Sequence, residues 1–369
     1  MIEEFDLLTR AVGHIHAERP AQAAPMLDRL RAVLDGRARP KPGDRLCRLY
    51  LEALTHRIGA EPGHADETNL YRQQYADHAQ IDLYYLLCEH LPFMHTTPAV
   101  TNLLAAPLQR DGVEQAVVLS IGIGHARQEA ALLDELARPG APLRRCTVVG
   151  IDPDAESLAK AERRLRESDA VAKHGLELDF LPVPRIAEEV EPADWQCIAA
   201  LDGVLVVNST LAVHHMQDAA PGHDARDEFF QRLRLLAPAV VVLTEFDSDH
   251  HDVSLPQRFF NSWHFFGSIL RAIEDSAATD AEKDLMTTFF RREVMNIVGA
   301  RTDAQRFERH EPARAWLERL HRCGFAPVCP DPALDTAHGH HAVHATSDHV
   351  RLTCRDRTIC AVIAAGPAG

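Results

Sequence analysis

The sequence lacks several features that would narrow its function at once. None of its eight cysteines forms a CxxC pair, which excludes a zinc ribbon and a thioredoxin-type redox site. No stretch approaches the roughly 18 uninterrupted apolar residues that a membrane helix needs. The first twenty residues show no basic segment leading into an apolar one, so no secretory leader is expected. Positive charge is scarce: 39 Lys and Arg stand against 54 Asp and Glu, a formal net charge of −15. That argues against nucleic acid as the main partner, because phosphate binding needs clustered cations. A small neutral or cationic substrate stays open. Scattered cysteines, with Cys146, Cys197 and Cys360 inside apolar runs, read as small hydrophobes in a reduced, cytoplasmic chain.

What is present is a core-forming chain: 46% of residues are hydrophobic across 369 positions, enough for a large domain with a substantial addition. The first 110 residues carry apolar positions at helical spacing, for example Phe5, Leu8, Val12 and Ile15. The pattern then changes. Runs at 116–124, 146–154, 176–183, 203–209 and 239–246 are β-branched and continuous, and helical stretches alternate with them. Such alternation predicts a parallel sheet covered on both faces. Residues 257–297 read as one long aromatic-rich helical pattern, and 312–323 as an amphipathic helix ending at Gly324. The runs 349–354 and 358–365 read as a closing hairpin. The His-rich stretch 338–349 carries no strong secondary signal.

The chemistry concentrates after the first strand. Ser120-Ile121-Gly122-Ile123-Gly124-His125-Ala126 follows a strand and opens a helix. Glycines there let backbone approach a ligand, and the helix N-terminus offers N–H groups. Alone the motif is weak, since glycines at strand ends are often only turns. Asp152 ends the second strand about 30 residues after Gly122, where an acid can bind both hydroxyls of a ribose. It can equally be a helix N-cap, a role that Asp154 also suits. Asn208 and Glu245 end the fourth and fifth strands, at the edge where doubly wound sheets bind ligands. They can bind substrate or simply join loops. His214 follows Asn208 and is a candidate general base. Glu293 and Asn296 share one helix face, either toward substrate or in a structural network. Of 22 histidines, only the group at His250 invites a test for a metal. No closed zinc spacing is present, so no metal is expected. An NAD-dependent oxidoreductase is a weaker reading of the glycines.

Longer blocks carry a resemblance. RFFNSWHFFGSILRAIEDS and RREVMNIVGARTDAQRFERHEPARAWLERLHRCGFAPV closely resemble the C-terminal half of GRAS proteins. VVNSTLAVHHM, VVVLTEFDSDHHDVSLPQRF, AVVLSIGIGHARQEAALL and IDLYYLLCEHLPFMHTTPAVTNLL resemble earlier family blocks. The match runs in order over residues 70 to 365. The resemblance implies a Rossmann-like class I methyltransferase core with a mostly parallel seven-stranded sheet and an antiparallel last strand, plus a helical cap. Its expected parts are cap 1–110, core 111–254, cap insertion 255–305 and core 306–369. The family is best known for plant transcriptional regulators, and its bacterial members have been proposed as small-molecule methyltransferases. The retained GIGHA and GIDPD resemble that bacterial, enzyme-like branch. S-adenosylmethionine (SAM), leaving as S-adenosylhomocysteine, is then expected against Ser120, Gly122, Gly124, His125, Asp152, Pro153, Val183 and Asn208. A small-molecule substrate is expected against Asn208, His250, Arg258, Trp263, Glu293 and Asn296, with Glu245 and His214 as acid–base groups. Where the family has an acid near the start of the glycine loop, this chain has Ser120. That departure favours the alternative, a non-catalytic module binding a ligand or a protein. A homodimer is possible under either reading.

Overall fold

The computed structural model describes residues 2–39, 41–59, 70–71, 73, 75–137, 142–218 and 222–368. Five helices come first: α1 (Ile2–His16), α2 (Pro20–Asp35), α3 (Asp44–Gly59), α4 (Gln80–His90) and α5 (Thr97–Leu108). Strands and helices then alternate through β1 (Gln115–Ile121), α6 (Arg127–Leu136), β2 (Arg145–Ile151), α7 (Ala155–Arg166) and the short α8 (Asp169–Ala172). They continue through β3 (Glu177–Val183), α9 (Pro192–Ala199), β4 (Val204–Thr210), α10 (Ala225–Leu235) and β5 (Val240–Phe246). After α11 (Leu255–Asp275), α12 (Asp280–Ile297) and α13 (Ala313–Arg322) come β6 (Phe325–Pro327), β7 (Thr336–His338), β8 (His341–Ala345), β9 (His349–Cys354) and β10 (Arg357–Pro367).

The chain divides into two compact units. One comprises residues 93–247 and 312–369, the other residues 1–92 and 248–311. The first is built on a ten-stranded sheet of order β3-β2-β1-β4-β5-β10-β9-β8-β7, with β6 paired to β10. This replaces the seven strands expected. Strands β1 to β5 pair in parallel, and β10 runs antiparallel to β5, β9 and β6. The extra strands include β7 and β8, in the His-rich segment expected to be a loop. That hairpin is short, polar and mostly half-exposed or exposed, so it lacks the apolar signal by which strands are read.

Burial explains the continuous runs. Every residue of β5 is buried, as are six of the seven in β1 and in β2. One face packs Leu119, Val149, Val207 and Val241 against α9, α10 and α13, where Phe230 and Trp316 are fully enclosed. α5 packs on β4, β5 and β10, with α6 beside it. The reading that grouped α5 with the preceding helices thus differs from its place on the sheet.

The other unit is helical. Phe5 of α1 and Tyr50 of α3 pack on Phe259 and Trp263 of α11. The long helical pattern at 257–297 is made by two helices, α11 and α12. Thr279 and Glu282 form a capping box that starts α12, because a Thr hydroxyl and a Glu three residues later satisfy free N–H groups of a first turn.

Candidate functional site

The sheet reverses its direction of winding between β1 and β4, and ligand crevices of such sheets lie outside the strand ends at that point. Ser120 and Asn208 are register partners there. The glycine loop that follows β1 is held by backbone bonds: Gly122 N and Ile123 N both donate to Ile151 O. Gly122 has φ +68°, and a Cβ on it would lie 2.8 Å from the Ala212 side chain. Only glycine fits that approach without strain.

Asp152 steadies the same loop. Its Oδ2 accepts from Gly124 N at 3.0 Å and its Oδ1 from Asp154 N at 2.9 Å. Burial pushes its carboxyl upward, against those backbone donors. Asp154, not Asp152, caps α7, accepting from Glu156 N and Ser157 N. Asp152 N donates to Val183 O, which places the end of β3 beside it. Pro153 is exposed and His125 half-buried at the same edge.

Sequence reading missed Glu129, on the first turn of α6. Its Oε1 accepts from Ser120 Oγ at 2.6 Å and from Asn208 Nδ2 at 2.7 Å. The residue is 2% exposed, and burial raises its pKa while Ser120 and Asn208 oppose the rise. One signal existed: Glu129, Leu132, Leu133 and Leu136 form a single i, i+3, i+4, i+7 stripe. A carboxylate on an apolar stripe is a buried one.

Glu245 and His214, expected separately as acid–base groups, lie in contact. Glu245 Oε2 lies 2.6 Å from His214 Nδ1, and both side chains are at most 2% exposed. A carboxylate only accepts, so Nδ1 carries the proton and Nε2 is the basic nitrogen. Arg226, also missed, fixes this turn. It donates to Val213 O and His214 O and lies over the Trp316 ring.

Several buried atoms at this edge have no hydrogen-bond partner among the described residues: Asn208 Oδ1, Ser209 Oγ, Thr210 Oγ1, Thr244 Oγ1 and Glu245 Oε1. Buried polar atoms are normally satisfied, so a cluster of exceptions at a sheet's ligand edge suits a polar guest.

The residues expected to face substrate from the helical unit are differently employed. Asn296 Oδ1 accepts from Phe307 N and Glu308 N, which folds the loop after α12. Buried Arg258 bonds Val253 O and Asp303. Trp263 belongs to the aromatic cluster with Phe5 and Tyr50. His250 has both ring nitrogens engaged, Nδ1 with His310 Nδ1 and Nε2 with Ser248 Oγ, each at 3.0 Å. Burial and the neighbouring His310, Arg306 and Arg258 keep it far below the usual imidazole range, hence neutral. Glu293 is buried in the same unit.

A model of the GRAS domain family matches residues 5–359. The rice "Chitin-inducible gibberellin-responsive protein 2" is 28% identical over 66% of this chain and 46% of its own length. "DELLA protein 2" of Medicago truncatula is 26% identical over 76% of this chain and 50% of its own. The chain spans about half the length of these curated relatives. Among solved structures, that titled "Crystal Structure of SCL7 in Oryza sativa" matches with a TM-score of 0.79 at 22% identity, covering 98% of this chain and 99% of that one. It is similar in fold throughout. No helix among the described residues is long and apolar enough to cross a membrane.

Proposed function

The chain belongs to the GRAS domain family, and from that premise we propose that its sheet unit is a ligand-binding module whose guest is SAM. The observation that carries this is the set of unpartnered buried atoms on β4 and β5, chiefly Asn208 Oδ1. They lie on the strand edge that also holds the glycine loop and Asp152. Each oxygen of Asp152 accepts one backbone bond and retains a lone pair for a ribose hydroxyl. Gly122 and Gly124 keep the loop free of side chains, and His125 and Pro153 flank it. The orphaned acceptors at Asn208, Thr244 and Glu245 suit the donors of the methionine part.

Methyl transfer to a small molecule is the second reading, and the His214–Glu245 pair favours it. SAM, when bound, supplies an electrophilic methyl group. The protein's share is mostly positioning. His214 Nε2 would accept a proton from an acceptor hydroxyl or amine, and Glu245 would stabilise the resulting imidazolium through Nδ1. Kinship with plant proteins of this family favours binding without turnover.

Titration calorimetry of the full chain with SAM tests the proposal. Saturable heat is expected, reduced at least tenfold in affinity by Asp152→Ala. Absence of heat at ligand concentrations on the order of 1 mM would contradict it. Product analysis after prolonged incubation with candidate acceptors, wild type against His214→Gln, separates the two readings.

A further inference from the structure

Glu129 is a buried carboxylate that accepts two neutral hydrogen bonds and has no cationic partner among the described residues. Buried acids are seldom left so; they are paired with a cation or protonated. Its neighbours are arranged for an ionised form. Ser120 Oγ donates to it, and Asn208 presents its amide nitrogen. Turning the Asn208 amide over would set oxygen against oxygen, so the carboxylate fixes Oδ1 on the side away from Glu129. That Oδ1 is itself buried and unpartnered. The edge therefore joins a carboxylate lacking a cation to an acceptor lacking a donor, two atoms apart on one amide. A primary ammonium, with one positive charge and three N–H donors, satisfies both.

We infer that Glu129 is the group that recognises the ligand's ammonium, doing from the helix what an acid at position 120 would do from the strand. An acidic side chain at 120 would reach past the place of Ser120 Oγ, toward the space the Glu129 carboxylate occupies 2.6 Å beyond it. The carboxylate has been moved from the strand to the facing helix, and the serine has become its donor. Burial raises the pKa of this carboxyl and a bound ammonium opposes that rise, so the ligand binds the ionised form preferentially. This inference rests on the reading of the crevice as a SAM site.

The test uses the full chain, with SAM and 5′-methylthioadenosine, which lacks the amino-acid part, as calorimetric probes. Glu129→Gln is expected to weaken SAM at least tenfold and leave 5′-methylthioadenosine unchanged. Wild-type affinity for SAM is expected to rise with pH through the titration of Glu129, and that slope to vanish in the variant. The double variant Ser120→Asp with Glu129→Gln returns the acid to the strand and is expected to recover SAM affinity. Because the buried charge costs stability, Glu129→Gln alone is expected to raise Tm near neutral pH, whereas a purely structural glutamate would lower it. Equal SAM affinity in wild type and Glu129→Gln overturns the inference while the SAM site stands. Equal weakening of both probes also overturns it, since the ammonium is then not what Glu129 senses. If wild type binds neither probe, the site itself fails and the inference with it.

Discussion

Each unit holds some fully bonded buried polar groups and some incompletely bonded ones, and the instructive comparison is between particular residues of the two. In the helical unit, Arg306 donates to His250 O and His251 O, Arg292 to His78 O and Asp77, and Asn296 accepts two backbone N–H groups. These side chains close loops. In the sheet unit, Asn208, Thr244 and Glu245 each keep a buried atom without a partner among the described residues. The same residue types thus do different work, and satisfaction, not identity, separates a structural amide such as Asn296 from a recognition amide such as Asn208. A group that is fully bonded adds stability and has little left for a guest. One that is incompletely bonded costs stability until a guest arrives.

The largest way to break that contrast is Arg306→Ala. It takes a donor from the buried His250 carbonyl and the part-buried His251 carbonyl, at about 1–3 kcal/mol for the buried one and less for the other, so urea denaturation should show a loss of roughly 3 kcal/mol. A loss below about 1 kcal/mol would mean that water replaces the guanidinium and that the network is not holding the unit.

The sharpest form of the comparison is a pair of matched substitutions. Asn296→Ala strands Phe307 N and Glu308 N and should cost about 2 kcal/mol with no change in SAM affinity. Asn208→Ala removes an amide that donates to buried Glu129 and whose Oδ1 has no partner among the described residues, so it should cost about 1–2 kcal/mol and, unlike Asn296→Ala, also lower SAM affinity about tenfold. Reversal of the two affinity patterns in calorimetry would invert the assignment of roles.

Smaller, and differently signed, are the pH effects. His250 has a depressed folded-state pKa, so its contribution is complete above the unfolded value near 6.5. It declines as pH falls below that, by up to about 1.4 kcal/mol per pH unit. Glu129 has a raised one; its contribution is complete below the unfolded carboxyl value and is lost as pH rises through the folded one. Wild-type stability measured against His250→Gln should therefore decline on acidification. Measured against Glu129→Gln, it should decline on alkalinisation. Parallel pH profiles for the two differences would contradict the account.

Much of the sheet was legible because a doubly covered strand must be apolar throughout. Runs at 116–124 and 146–154 overran β1 and β2 only where glycines and Asp152 turn the chain into loops. That Asn208 and Glu245 end neighbouring strands was legible from topology, since strand ends meet at one edge, but the pairing of Glu245 with His214 was not. Glu129 was not singled out, because the acid expected at 120 was sought in the strand, while the carboxylate arrives from the helix nine residues later. The engagement of Asn296, Arg258 and His250 was also illegible. Each is a polar residue on a helix or loop, and whether it faces ligand or backbone depends on a loop closure that periodicity does not encode. The β7–β8 hairpin was missed for a related reason, its pairing being set by backbone bonds between polar, mostly exposed residues.

The central claim is that the carboxyl edge of β1, β4 and β5 is a guest site. Hydrogen exchange with and without SAM, resolved by peptide, tests it most directly. The account predicts slowed exchange in the segments 122–126 and 208–215, lost in Asp152→Ala. Unchanged exchange in both segments at saturating SAM, or protection confined to the helical unit, would contradict it.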